Sequence, residues 1–489
     1  MRGLNTLHNI DRSESALTSS ARNKLFDVLL IILLIFLAVY FSLPFGLEHI
    51  SSEKYDLSIV SGFVINGAVW FLLLLCEVCR RAYSLELIHW TFCLFFFSFA
   101  PIAQYTLKTF PWIHTLSEDT LFRTNIILLL WTVCFLCGLH SRTLRHIFMT
   151  RIKKIFIRPN AMKHLRKRMK FFTAVNILIA AYRLSTYGFM NIFVRGIALV
   201  EVEESSINML AGHCLTAYSA VAAIACAEIM RKNRKYRKFF IINALCLLIT
   251  NFPTTLSRYA MASVYGGLML TIFHAFKRSR KFMILFIFAV VIVFPFANVF
   301  RHEAVVDVDI QAAFSRTVSS LSNVWNAGDY DAFTMAAMSL EYVNKSGTTL
   351  GRQLAGVLLF WMPRSLWPSK PVGSGHFMAM DRGVQFTNIS APPVAEGTIN
   401  FGLIGVVIFG LIFGAIAGCI DAFYWKDRDF LLERQTLSVR KTDAFQEAYE
   451  YFEIIYHIIM FMFFFMSRGD LMSTFAYTIA FIAVWFMMG

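Results

Sequence analysis

Residues 449–488 read YEYFEIIYHIIMFMFFFMSRGDLMSTFAYTIAFIAVWFMM. Two apolar runs, Tyr449–Met466 and Leu471–Met488, flank the short segment Ser467–Asp470. A helix needs roughly 20 predominantly apolar residues to cross the hydrocarbon core of a bilayer, and each run approaches that length. The stretch therefore predicts two membrane-spanning helices joined by a tight turn.

The remainder of the chain has the same character. Of its 489 residues, 57% are apolar, only 16% are charged, and Phe alone contributes 50. Average globular chains are about half apolar and about a quarter charged, so the composition excludes a soluble protein. We predict an all-α polytopic membrane protein with about twelve transmembrane helices. The other ten runs are Leu25–Pro44, Ser58–Val78, Leu85–Tyr105, Leu121–His140, Phe171–Met190, Ile207–Met230, Phe239–Asn251, Tyr259–Phe276, Phe282–Phe300 and Ile399–Phe423.

The charges between these runs predict the orientation. Lys and Arg concentrate in alternate connecting segments, and the intervening segments are poor in both. The positive-inside rule then assigns the basic segments and both termini to the cytoplasm. The net charge of +15 reflects this topology and not nucleic-acid binding. The basic loop 141–170 either lies against anionic headgroups or serves only as a topological anchor.

Three regions follow from this topology. Residues 1–299 hold the N-terminal transmembrane helices, 300–398 form a large periplasmic loop, and 399–489 hold the C-terminal transmembrane helices. The loop is far too long for a simple connection, and such loops are usually functional. Helical periodicity in 310–342 and an amphipathic pattern in Gly351–Leu366 predict short helices within it.

Basic residues on the predicted outer face are the main functional signal, because the positive-inside rule accounts for basic residues only on the cytoplasmic face. Arg258, Arg301, Arg364 and Arg468 each abut a span on that face, and Lys370 follows Arg364 closely. Guanidinium groups bind phosphate oxygens in a planar, bidentate manner. We predict that these five residues converge on one pyrophosphate and stabilise its charge without a metal. For each arginine alone, the alternative is a snorkelling or salt-bridged interfacial side chain.

Two residues are candidate catalytic bases. Glu396 lies where the long loop re-enters the membrane, and His376 lies within the loop. Either group can accept a proton from an acceptor hydroxyl. The alternatives are an ion pair between Glu396 and one of the arginines, and an ordinary loop position for His376.

Two patterns resemble metal sites, but we expect neither a metal nor another cofactor. Asp307–Asp309 is a DxD sequence, which alternation in a polar strand explains equally well. The CxxC pairs Cys76/Cys79 and Cys134/Cys137 lie inside apolar helical runs, where cysteine is a small apolar residue.

Two blocks resemble a known family. Residues 362–371, MPRSLWPSKP, and 392–410, PPVAEGTINFGLIGVVIFG, are similar to the Pro-Arg, Pro-x-Lys-Pro, Glu and Asn-Phe-Gly segment of bacterial oligosaccharide repeat-unit polymerases. These are the Wzy-type O-antigen and exopolysaccharide polymerases. Residues 254–267, TTLSRYAMASVYGG, and 463–475, FFFMSRGDLMSTF, resemble the arginine-bearing segments of the same family. The resemblance covers residues 250–489, and the first half matches only in hydropathy.

The resemblance implies a GT-C-like fold in the bacterial inner membrane with its active site facing the periplasm. It implies metal-independent, inverting transfer of a glycan from undecaprenyl pyrophosphate onto a lipid-linked repeat unit. The implied partners are undecaprenyl-pyrophosphate-linked oligosaccharides, membrane lipids, a chain-length regulator and a flippase, without nucleic acid. By motif match, Arg258, Arg364 and Arg468 hold the pyrophosphate and Glu396 activates the acceptor, whereas Arg301, Lys370 and His376 rest on their position alone.

Three other functions stay open. An O-antigen ligase uses the same donor with a lipid A-core acceptor, and His376 matches the outer-loop histidine that ligases carry. A flippase or other transporter would place ionisable residues deep inside several spans, where this sequence has few. A non-catalytic assembly scaffold would tolerate substitution of Arg364 or Glu396.

Overall fold

The computed structural model describes residues 25–26, 28–36, 55–113, 115–158, 160–193, 206–273, 281–293, 325–436 and 443–489, and the single positions 276, 296, 311 and 315. These residues form helices and connecting turns, with no β-strand among them. The prediction of an all-α chain is confirmed for this part of the protein. Seven of the described helices are long and apolar enough to cross a membrane, which supports a polytopic membrane protein.

Sixteen helices are labelled in chain order. The seven that can cross a membrane by length and composition are α1, α2, α3, α7, α14, α15 and α16. Both α2 and α9 contain a π-helical segment, at Phe95–Phe99 and Ala262–Gly266. The bounds are α1 (Leu57–Arg80), α2 (Leu85–Thr106), α3 (Glu118–His140), α4 (Arg142–Phe156), α5 (Ala161–Lys167), α6 (Met169–Tyr187), α7 (Ser206–Lys232), α8 (Arg237–Thr250), α9 (258–272), α10 (Lys281–Phe288), α11 (Ala332–Ser346), α12 (Arg352–Leu358), α13 (Ser374–Asp381), α14 (Pro393–Thr436), α15 (Asp443–Arg468) and α16 (Leu471–Met488).

Seven of the twelve predicted apolar runs coincide with these seven helices. The runs Phe171–Met190 and Phe239–Asn251 correspond to α6 and α8, and the described part of Tyr259–Phe276 corresponds to α9. None of these three helices combines the length and the hydropathy of a span. The runs Leu25–Pro44 and Phe282–Phe300 lie partly outside the described residues. The basic loop 141–170 contains α4 and α5.

The centre of the bundle is formed by α2 and α15, which are the most buried of the seven helices. Aromatic side chains join them. The ring of Phe464 on α15 meets Phe92 and Phe96 of α2 edge-on, at centroid distances of 5.7 and 5.8 Å, and meets Phe286 of α10 at 5.5 Å. Edge-to-face pairs of this kind stabilise a core beyond the burial of their area.

The helices α3 and α14 approach each other through glycine. Gly410, Gly414 and Gly418 lie one helical turn apart on α14, and Gly138 lies on α3. A Cβ atom at Gly414 would lie 2.0 Å from the carbonyl oxygen of Phe135, so the two backbones are in direct contact. Small residues at this spacing let membrane helices pack closely without a hydrophobic driving force.

We therefore expect Gly414→Val to separate α3 from α14, because its side chain would overlap backbone atoms that cannot move aside. Overpacking of this kind costs about 1–3 kcal/mol or more. Thermal unfolding in detergent micelles measures the effect as a lower midpoint temperature. Gly212→Ala on α7 is the control, since a Cβ there meets nothing within 4 Å. An unchanged midpoint for Gly414→Val would contradict the close contact.

Candidate functional site

A break in α14 shapes the site. Gly402 has φ 63° and ψ −142°, a conformation that glycine adopts readily. The chain folds so sharply here that a Cβ at Gly405 would lie 1.9 Å from the carbonyl oxygen of Gly397. The carbonyl of Ile399 accepts a hydrogen bond from Thr349 N at 2.9 Å. The Asn-Phe-Gly motif is thus a kink that separates a short N-terminal piece of α14 from the long span.

Glu396 lies on this short piece and is only 1% exposed. Its Oε2 accepts a hydrogen bond from Ser374 Oγ at 2.6 Å, and its Oε1 accepts one from Leu471 N at 3.1 Å. The carboxylate therefore connects α14 to the N-terminal ends of α13 and α16. In this conformation both of its oxygens are engaged.

Asp470 is a second carboxylate at the same junction. Its Oδ1 accepts from Met472 N at 2.9 Å and from Ser473 N at 3.2 Å, which caps α16. Its Oδ2 accepts from Gly375 N at 3.0 Å in the first turn of α13. Desolvation raises the pKa of Asp470, and these backbone donors oppose the rise. The positive ends of two helix dipoles favour negative charge at this point.

His376 lies in the first turn of α13 and is half-buried. An electrostatic interaction with His376 favours the ionised form of the Asp470 carboxylate. His376 is therefore the more exposed of the two predicted bases, since it is half-buried and Glu396 is almost completely buried.

Two of the predicted arginines meet on one turn of the chain, residues 328–331. Arg468, the last residue of α15, donates from Nε to the Asp329 carbonyl at 2.8 Å and from Nη2 to the Gly328 carbonyl at 2.9 Å. Arg258, the first residue of α9, forms an ion pair with the Asp329 carboxylate. Both arginine side chains keep a small exposed fraction, 11% for Arg258 and 13% for Arg468. Segments far apart in sequence thus bring two guanidinium groups to one place.

Asp331 fixes this turn inside the bundle. Its side chain is fully buried, and its Oδ1 accepts from Arg468 Nη2 at 3.1 Å. Its Oδ2 accepts from Trp112 Nε1 at 2.7 Å and from Ser390 N at 3.2 Å. Sequence reasoning missed both Asp329 and Asp331; their only signal is a pair of acids placed just before α11.

Arg364 and Lys370 form a separate group. Arg364 is exposed and donates from Nη1 to the Lys370 carbonyl at 2.8 Å. Lys370 is buried, and its Nζ donates to the carbonyls of Phe360 at 2.6 Å and Met362 at 2.9 Å. Burial lowers the pKa of Lys370, and the Arg364 charge lowers it further. The structure therefore brings together Arg258 and Arg468, and it gives Arg364 and Lys370 contacts within their own segment.

The remaining predicted ligand, Arg301, lies outside the described residues, as does the DxD pair Asp307–Asp309. Among the described residues, no group of three or more His, Cys, Asp or Glu side chains could hold a metal ion.

A second polar cluster lies at the opposite end of the bundle. Arg81 Nη1 lies 3.0 Å from Glu77 Oε1 and 3.9 Å from both Glu86 Oε2 and Asp421 Oδ2. Asp421 also accepts hydrogen bonds from the backbone N–H groups of Leu85 and Glu86, at 2.9 and 3.0 Å. Asp421 thus satisfies amide groups in the first turn of α2, which gives this buried acid a structural role.

We expect Asp331→Ala to destabilise the fold strongly, because it removes the acceptor of Trp112, Ser390 and Arg468 together. Breaking a buried ion pair costs about 3–5 kcal/mol. The control is Glu341→Gln, which removes a partly exposed ion pair with Arg382 of 2.7 Å and should cost under about 1 kcal/mol. Thermal unfolding compares the two variants, and equal shifts would contradict the role of Asp331.

Comparison with protein-family models, curated proteins and solved structures finds no match to this chain. The resemblance to repeat-unit polymerases therefore stays a prediction from the short motifs that carry Arg258, Arg364, Glu396 and Arg468.

Proposed function

We propose that the protein is a membrane glycosyltransferase with a GT-C-like architecture of about twelve transmembrane helices. It polymerises undecaprenyl-pyrophosphate-linked oligosaccharide repeat units. The supporting observation is that Arg258 and Arg468 meet on the turn 328–331, while Glu396 and Asp470 lie together beside the α15–α16 turn. In this proposal that end of the bundle faces the periplasm of a bacterial inner membrane, and both termini are cytoplasmic.

The arginine pair would bind the pyrophosphate of the donor. As the bond from the anomeric carbon to the phosphate oxygen breaks, negative charge grows on the leaving pyrophosphate. Guanidinium groups held in advance stabilise this charge without a metal. Because Arg258 is paired with Asp329 in the structure, a substrate phosphate must replace that carboxylate. The exposed Arg364, with Arg301 and Lys370, would supply further contacts from the loop.

The acceptor hydroxyl would attack the anomeric carbon from the opposite side and give inversion. Its proton has to pass to a base within hydrogen-bond reach. His376 is the better base because it is partly exposed, whereas both oxygens of Glu396 are engaged. Glu396 then acts as a positioning residue, since its bond to Ser374 holds the first turn of α13 and with it His376.

Transport of a lipid-linked oligosaccharide is the second candidate, and the buried acids Glu77, Glu86 and Asp421 favour it. Glu77 and Glu86 lie in the end turns of α1 and α2, and Asp421 lies near the end of the apolar part of α14. Arg81 and the α2 backbone bind these acids. Polymerisation is preferred because two guanidinium groups from distant segments meet on the turn 328–331, an arrangement that suits a pyrophosphate. An O-antigen ligase would use the same arginines and differ only in its acceptor.

We expect purified protein to extend lipid-linked repeat units into a ladder in the presence of EDTA. Arg258→Gln and Arg468→Gln should each lower the rate by at least about 100-fold, the loss seen when one stabilising donor is removed. Arg123→Gln is the control, because Arg123 pairs with Asp119 on an exposed part of α3.

A ladder that survives both substitutions would show that the arginine pair is not the pyrophosphate site, whereas no ladder from the wild-type protein would leave transport or scaffolding instead. If ladder formation strictly requires a metal, the Asp307–Asp309 pair becomes the candidate metal site. Product on a lipid A-core acceptor, with none on the repeat unit, would identify a ligase.

Conservative substitutions distinguish the two candidate bases, His376 and Glu396. We expect His376→Gln to lower kcat about 10²–10⁴-fold and to abolish the acidic limb of the pH–rate profile. Glu396→Gln should retain most activity, since an amide can still bond Ser374 and Leu471, whereas Glu396→Ala should lose it. If Glu396→Gln removes the pH dependence and His376→Gln keeps it, the roles are reversed.

A further inference from the structure

A small cavity lies beside Arg258, at the start of α9. Its volume is about 120 Å³. Arg258 is the only charged residue among the seven that line it, and Thr254 is the only other polar one. The remaining walls are apolar, formed by Pro253, Leu256, Met261, Val293 and Phe296.

The chemistry of these walls selects the kind of ligand. A sugar needs several hydrogen-bond partners, and this lining offers only Arg258 and Thr254. A free anion would gain nothing from the apolar walls. The hydroxyl of Thr254 is buried and has no hydrogen-bond partner among the described residues. An almost wholly apolar chamber beside a guanidinium fits a short hydrocarbon group attached directly to a phosphate.

The volume limits the hydrocarbon to a small group. An apolar cavity of about 150 Å³ binds benzene, so the chamber beside Arg258 can hold about five carbon atoms. We propose that it binds the first isoprene unit of the lipid carrier, with the adjoining phosphate on Arg258 in place of Asp329. This inference rests on the proposed function and names the part of the donor lipid that the protein recognises. The rest of the polyprenyl chain would leave the chamber toward the bilayer.

Binding by the full-length protein in lipid nanodiscs tests the proposal. The probes are dimethylallyl diphosphate and methyl diphosphate, which carry the same charge and differ in their hydrocarbon. We expect dimethylallyl diphosphate to bind at least about tenfold more tightly, because its extra carbons leave water for the apolar chamber.

Substitutions that fill the chamber provide the second measurement. Leu256→Trp and Met261→Trp should each reduce the affinity ratio of the two probes to about one. They act independently, so one of them suffices if the other does not fold. Ile272→Trp, at the far end of α9 and 36% exposed, is the control and should keep the wild-type ratio.

The outcomes separate this inference from the proposed function. A wild-type ratio near one, or a tenfold ratio that survives both Trp variants, overturns the isoprene site and leaves the glycosyltransferase proposal standing. Failure of both diphosphates to bind the wild type overturns both. If both bind, but Arg258→Gln and Arg468→Gln leave the affinity for methyl diphosphate unchanged, the arginine pair is not a pyrophosphate site.

Discussion

The end of the bundle that contains the α15–α16 turn depends on one interaction, the ion pair between Arg468 and Asp331. It joins the C-terminal helical hairpin to the segment before α11, and Trp112 and Ser390 bind the same carboxylate. Four separate parts of the chain therefore meet at one buried acid. A charge here is tolerated because three donors replace its hydration. The same ion pair orients the Arg468 guanidinium on the turn 328–331, which Arg258 also contacts.

Hydropathy predicted the long, strongly apolar helices well. The runs at α15 and α16 each form one helix, and the segment between them is the tight turn that their spacing indicated. The less apolar runs at α6 and α8 also form helices, but the 19-residue α6 is not apolar enough for a span and the 14-residue α8 is too short for one. The glycines at 410, 414 and 418 were a readable signal of close packing between helices, and the sequence reasoning did not use it.

The candidate site was only partly predictable, because its partners come from distant segments. Of the five basic residues expected to converge, Arg258 and Arg468 meet on the turn 328–331, but no pattern identified Asp329 or Asp331 as their partners. Glu396 was expected where the long loop re-enters the membrane, and it is almost completely buried there. The cause is the kink at Gly402, which sets Gly397 against Gly405 and turns the preceding residues into the protein. The Asn-Phe-Gly motif specifies the residue types, but it does not predict that the chain changes direction at Gly402.

The backbone contact between α3 and α14 also limits how a lipid can reach the protein. Two helices that touch through glycine leave no slot for an acyl chain, so the proposed polyprenyl donor would have to enter on another side. The chamber beside α9 indicates that side, since its walls come from the turn before α9, from α9 itself and from the residues after α10. The bundle would thus have one sealed flank and one flank that admits lipid, and a donor molecule would approach Arg258 sideways from within the membrane.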